Sequence, residues 1–263
     1  MGIFKKIFLI ILLGLFTASL AQAQVNASFW QTKKSQHFIV YYQDAGEDFV
    51  NQLVDYAENY YNSIVDELGF RRMDFWSWDN RAKIYLFNNS QDYLKETRSA
   101  VWSGAQVYVR DRTIKTFIGQ SSFFDSILPH ELTHIIFREF VGVKINLALC
   151  LDEGIACSQE KSNLVERMKI SALLIKQGTY WKFDKLFRLH NSTLTNPVAF
   201  YSESASIIVF LLKQYGRDVF LDFSRKIRDG VEWNKALFSV YRFNSFDEME
   251  NAWKDFMTKE GYI

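Results

Sequence analysis

The chain has 263 residues and a formal charge of +1, with 31 Lys and Arg against 30 Asp and Glu. Such near-neutrality excludes nucleic acid as the main partner, and a content of only 2 Pro and 12 Gly argues against long disordered linkers. Its 24 Phe, 13 Tyr and 7 Trp are ample for one substantial core.

The first residues read as a targeting segment. A short basic start ending in Lys5 and Lys6 precedes an apolar run over residues 7–16 and then small residues closing on Ala21-Gln22-Ala23. That is the layout of a signal peptide, 1–23, with an A-x-A cleavage site. The run is short for a membrane span and has no polar stop beyond it, so an uncleaved anchor is the alternative and no stable span is expected after cleavage. Removing the segment takes away Lys5 and Lys6 and no acid, leaving residues 24–263 with a formal charge of −1. The destination this implies is the periplasm or the extracellular space.

In chain order, residues 35–42 are rich in β-branched and aromatic side chains and predict a strand. His37, at its start, has no neighbour at ligand spacing and reads as a surface or strand-end residue. Phe49, Val50, Leu53, Val54, Ala57, Tyr60, Tyr61, Ile64, Val65 and Leu68 recur with helical period, predicting a helix over 46–68 stopped by Gly69. A second strand is expected over 82–87, then a short helix over 91–97 capped by Ser90. Residues 104–110 and 113–118 read as two strands joined by a turn at Asp111-Arg112. Ser121 or Ser122 is expected to cap the next helix, with Asp125 in a capping-box role. Pro129 removes a backbone donor and disfavours helix at Leu128, so that helix either starts near Pro129 or kinks there, and Gly142 stops it. The second half reads as mostly helical: one helix from Asp152 to about Lys176, another from Tyr201 to Tyr215, and three more near 219–228, 234–241 and 246–257.

Chemistry concentrates in the helix beginning near Pro129. His130, Glu131 and His134 spell H-E-x-x-H. Histidines four residues apart on a helix leave the same face, one turn apart, and offer two corners of a tetrahedral zinc site. Glu131 would stand beside such a metal without ligating it, where a base acting on water belongs. Downstream, Glu153 follows His134 after 18 intervening residues, inside Leu151-Asp152-Glu153-Gly154-Ile155-Ala156. That gap suits a helix–turn–helix return presenting a third ligand. Two histidines placed by accident on a solvated face, and a Glu serving only a helix dipole, are the bland alternatives.

These residues resemble the gluzincin metallopeptidases, and especially the peptidase MA-like group, whose pattern is H-E-x-x-H followed by an E-G-x-A segment opening the next helix. The resemblance implies that His130, His134 and Glu153 bind one zinc ion and that Glu131 is the general base. It implies an α+β fold in which a small mixed β-sheet with helices and the H-E-x-x-H helix (24–142) precedes a helical part (143–263). It implies a peptide or protein substrate, held as an added strand along an edge strand drawn from 104–110 or 113–118; an ordinary hairpin is the alternative there. Tyr201, His190 and Tyr180 are candidates to stabilise the oxyanion, with Tyr201 preferred. Clan aminopeptidases carry G-x-M-E-N to capture a free amine; Gly104-Ala105-Gln106-Val107-Tyr108 stands at a comparable place without the acid, which favours an endopeptidase. Where the group often has an aromatic residue three before the ligand Glu, this chain has Cys150. A non-catalytic exported binding or assembly factor on the same scaffold is the competing reading.

Cys150 and Cys157 are the only cysteines. Export permits a disulfide, but with Cys157 inside a helix begun near Asp152 and Cys150 outside it, two buried thiols are expected.

Overall fold

A computed structural model describes residues 30–70, 76, 80–101 and 103–263; the expected signal peptide lies outside them. Residues Thr32–Ile263 pack as one compact unit. No helix among the described residues is long and apolar enough to cross a membrane.

The N-terminal half is a mixed sheet with helices. Five strands, β1 (Gln31–Lys34), β2 (Phe38–Tyr42), β3 (Ala82–Phe87), β4 (Ala105–Tyr108) and β5 (Thr113–Phe117), lie in the order β1-β2-β3-β5-β4. Strands β2, β3 and β5 run parallel, with Val40 opposite Ile84 and Ile84 opposite Ile114. Parallel neighbours need a crossover, and helix α1 (Glu47–Glu67) supplies it between β2 and β3. Strand alternation puts Phe38, Val40, Ala82, Ile84, Leu86 and Ile114 on a buried face, in the same core as Leu53, Ala57 and Ile64 of α1. Strand β4 runs antiparallel to β5 at the edge of the sheet.

Several local expectations shift. The helix expected from Gln91 begins at Ser90 (α2, Ser90–Thr97), because Asn89 and not Ser90 accepts the Asp92 N–H and caps it. Neither Ser121, Ser122 nor Asp125 caps the H-E-x-x-H helix. Residues Phe123–Ile127 form a wide π turn that runs straight into helix α3 (Leu128–Val141), and the Leu128 N–H bonds to the Phe123 carbonyl. Pro129 then sits in the first helical turn, where a missing N–H costs little. Gly142, at φ 111°, ends α3.

His37 is buried. Its Nδ1 and backbone N–H both reach the Glu58 carboxylate of α1, at 2.6 and 2.8 Å, and its ring stacks on Tyr61. Sequence spacing along the chain has no means of showing that partner, 21 residues away.

The helix expected over 152–176 is two helices, α4 (Leu149–Ser158) and α5 (Leu164–Gln177), separated by a turn in which Glu160 is buried. Helix α4 starts earlier than expected and so contains both Cys150 and Cys157, as free buried thiols. Two full turns of helix separate them, too far for a disulfide. The remainder comprises α6 (Phe183–Leu186), α7 (Pro197–Tyr215), α8 (Arg217–Arg228), α9 (Trp233–Tyr241) and α10 (Phe246–Lys259). Helix α7 is buried from Ala199 to Leu211 except at Tyr201, and the polar Ser202, Glu203, Ser204 and Ser206 are buried with its apolar residues. It lies against α4 because Gly154 has no side chain: a Cβ there would stand 2.5 Å from the Ser204 carbonyl oxygen.

Candidate metal centre

Helix α3 is the axis of the site. Leu132, Ile135, Ile136 and Phe140 bury its apolar stripe, which fixes the rotation of the helix and turns His130, His134 and Glu131 toward one side. Two tethers fix its far end. Arg138 forks onto Asp152 of α4 and donates from Nη1 to the Ile145 carbonyl at 2.7 Å. Glu139 receives the Arg112 guanidinium from the β4–β5 turn, together with the Trp76 indole N–H at 2.8 Å. Arg112 is left-handed at φ 48°, which closes that turn.

The three expected ligands meet. Nε2 of His130 and Nε2 of His134 are 3.2 Å apart, and Glu153 Oε2 lies 3.5 Å from the first and 3.8 Å from the second. Donors bound tetrahedrally to zinc at ~2.0–2.1 Å would stand about 3.3–3.4 Å from one another, so this triangle fits one zinc ion with no rearrangement of the chain. Two imidazoles and a carboxylate form a three-donor set that would leave a fourth position of a tetrahedral zinc ion open.

Behind these ligands stands a second ring of partners that spacing alone did not reveal. Nδ1 of His130 meets Glu160 Oε1 at 2.8 Å, and Arg167 and Asn163 in turn donate to Glu160. Nδ1 of His134 faces Asp152 Oδ1 at 3.7 Å, and Asp152 carries the Arg138 fork. Carboxylates on the outer imidazole nitrogens fix ring orientation and raise ligand basicity. The signals were present in the sequence: Asp152 adjoins Glu153, and Arg138 follows His134 by one helical turn.

The electrostatics agree. Burial works against charge on His130, but the Cys157 thiol, Glu153 and Glu160 outweigh it and hold the ring well above ordinary imidazole. Burial likewise opposes ionisation of Asp152 and Glu160, yet the His134 and Arg138 cations bring the first down to about 2, and His130 and Arg167 bring the second to about 2. The Glu153, Glu160 and Asp152 carboxylates thus ionise readily around the two rings, which places negative charge where a cation would bind.

Glu131 lines a cleft of about 390 Å³ together with His130, Gly104, Ala105, Gln120 and Arg167. Its carboxylate has no hydrogen-bond or ion-pair partner among the described residues. At the rim, a Cβ on Gly104 would stand 2.3 Å from Gln120 Oε1, so a larger residue there would push the Gln120 side chain aside. The edge strand β4 borders the cleft at its first residue, Ala105, with Gly104 just before it.

The oxyanion candidates separate. Tyr201 is half-buried beside the centre: burial and the Glu153 charge raise its hydroxyl, and the Arg167 guanidinium lies 5.7 Å from its ring. Tyr180 instead donates to Glu250 Oε1 of α10 at 2.8 Å, and His190 is exposed beside the short turn Asn191–Thr193.

One family comparison covers most of the chain. The family model of the peptidase MA superfamily matches residues 77–259, which carry β3 to α10 and every residue of the site. The chain belongs to the peptidase MA superfamily. The mixed α+β architecture is that of a peptidase MA fold, and the scaffold is metallopeptidase-like. No curated protein matches the chain.

Proposed function

We propose that this peptidase MA-like chain is an exported zinc-dependent peptidase that hydrolyses internal peptide bonds. The observation that carries the reading is the Nε2–Nε2–Oε2 triangle of His130, His134 and Glu153, with the unpaired Glu131 carboxylate beside it on the cleft wall. A zinc ion held by those three residues would supply Lewis acidity, acidifying a water molecule and polarising a carbonyl.

The chain's own residues divide the remaining work. Glu131 takes the proton from the attacking water and delivers it to the leaving amine. Tyr201 donates a hydrogen bond to the oxygen that becomes negative. Glu160 and Asp152 hold the two imidazoles in their ligating orientation. Strand β4, at the edge of the sheet, begins at the cleft with Ala105, so a substrate main chain adds there as one more strand. The free Glu131 carboxylate weighs against a non-catalytic binding factor, because a purely structural site has no use for it.

Hydrolysis of a mixed peptide library by the purified mature protein tests this, with Glu131→Gln alongside. Cleavage at internal bonds by the parent and none by the variant is the expected result. Equal cleavage by both would remove Glu131 from the mechanism, and no cleavage by zinc-loaded parent would favour the binding factor.

A further inference from the structure

His130 faces two different sets of donors with its two nitrogens. Nε2 points to His134 and Glu153. Nδ1 points the other way, to Glu160 Oε1 at 2.8 Å and Cys157 Sγ at 3.8 Å. The Nδ1, Sγ and Glu160 oxygen atoms all lie within 4.8 Å of one another. The arrangement follows from helix geometry. Cys157 is one turn beyond Glu153 on α4, just as His134 is one turn beyond His130 on α3.

We propose that His130, Cys157 and Glu160 form a second metal site, distinct from the His130–His134–Glu153 centre, that takes one soft, thiophilic divalent cation. A cation with sulfur at ~2.3 Å and nitrogen at ~2.0–2.1 Å needs an S···N separation of about 3.5 Å, close to the 3.8 Å present. Thiolate, imidazole and carboxylate together favour cadmium or zinc and reject magnesium and calcium, which take oxygen ligands. Cys157 is wholly buried, so no bulk water competes for its sulfur. When the ion enters, two protons leave: that of the Cys157 thiol and that shared between His130 Nδ1 and Glu160. No electron moves. Arg167 Nη2 donates to both Glu160 oxygens, at 3.0 Å to Oε1 and 2.8 Å to Oε2; as Oε1 turns to the ion it gives up that donor and His130, while Oε2 keeps Arg167 and Asn163. With zinc on Nε2, the ring bridges two cations. Occupation removes the Glu160 hydrogen bond from His130, so cadmium slows turnover; that consequence rests on the proposed peptidase activity, whereas binding itself does not.

Titration of the full, zinc-loaded chain with cadmium chloride reads the site directly. The thiolate-to-cadmium charge-transfer absorption is expected to saturate at one ion per chain. It should survive in Cys150→Ser and vanish in Cys157→Ser and Cys157→Ala. Cadmium NMR of the unsubstituted protein gives a second readout that needs no variant, with a thiolate-shifted resonance expected. No charge-transfer band and no thiolate-shifted resonance, or a band that survives loss of Cys157, would overturn the proposal. Zinc content, measured on the same samples, reports separately on the first site.

Discussion

Nδ1 of His130 meets Oε1 of Glu160 at 2.8 Å, and this contact orients the first residue of the H-E-x-x-H motif. Glu160 lies in the turn after α4, so the motif helix is held by a residue 30 positions away. Replacing it with Gln keeps the shape and removes the charge. Loss of an outer-shell carboxylate typically weakens metal affinity about 10–100-fold. Chelator competition on Glu160→Gln should show a loss of that order, with the far-ultraviolet spectrum unchanged. Affinity equal to the parent's would mean that the contact does not tune the ligand.

Gly154 carries a packing prediction. A methyl group there would be 2.5 Å from the Ser204 carbonyl oxygen, and backbone cannot step aside as a flexible side chain does. Forcing α4 from α7 should cost about 1–3 kcal/mol. Because Glu153 is the adjacent residue, Gly154→Ala should lower both the thermal midpoint and metal affinity. An unchanged midpoint would show that the two helices are not so close.

Glu203 predicts a pH dependence separate from the metal centre. It is wholly buried on α7, and both its oxygens lie within hydrogen-bonding reach of one group, the Trp181 N–H, at 3.1 and 3.3 Å. Burial pushes its carboxyl up to about 8, with the Trp181 N–H opposing and the Glu250 charge adding to the rise. The folded chain therefore holds a proton that the unfolded chain releases near pH 4–5. In that window the native state binds more protons, so this group makes stability fall as pH rises from about 4.5 to about 8. Thermal midpoints across that range should decline less steeply in Glu203→Gln than in the parent. Parallel curves would refute the assignment.

Tyr201 is predicted to act on turnover alone. Tyr201→Phe removes one hydroxyl from a half-buried ring and touches no ligand of the triangle. Its kcat should fall by about 10²–10³-fold, the usual effect of losing one oxyanion donor, while zinc content stays the same. An unchanged kcat would take it out of the mechanism.

The convergence of His130, His134 and Glu153 was legible in the sequence because these residues obey local rules. His130 and His134 follow helical periodicity, and Glu153 follows the length of a helix–turn–helix return. The strands at 38–42 and 82–87 were legible from side-chain type, and α1 from its period. What escaped depends on tertiary contact. His37 is buried by Glu58 and Tyr61, which approach it only when α1 folds back on β2. The break between α4 and α5 is set by Glu160 turning inward to His130 and Arg167, and no proline or glycine marks it. The π turn Phe123–Ile127 runs straight into α3 with no side-chain cap, a junction that capping rules do not encode.

The central claim is that His130, His134 and Glu153 hold one zinc ion. The most direct measurement is zinc retained per chain, by elemental analysis after reconstitution with one equivalent and desalting, for the parent, His134→Ala and Glu153→Gln. The account predicts about one zinc in the parent and little in either variant, with circular dichroism showing all three folded. A parent that retains none, or folded variants that retain as much as the parent, would contradict it.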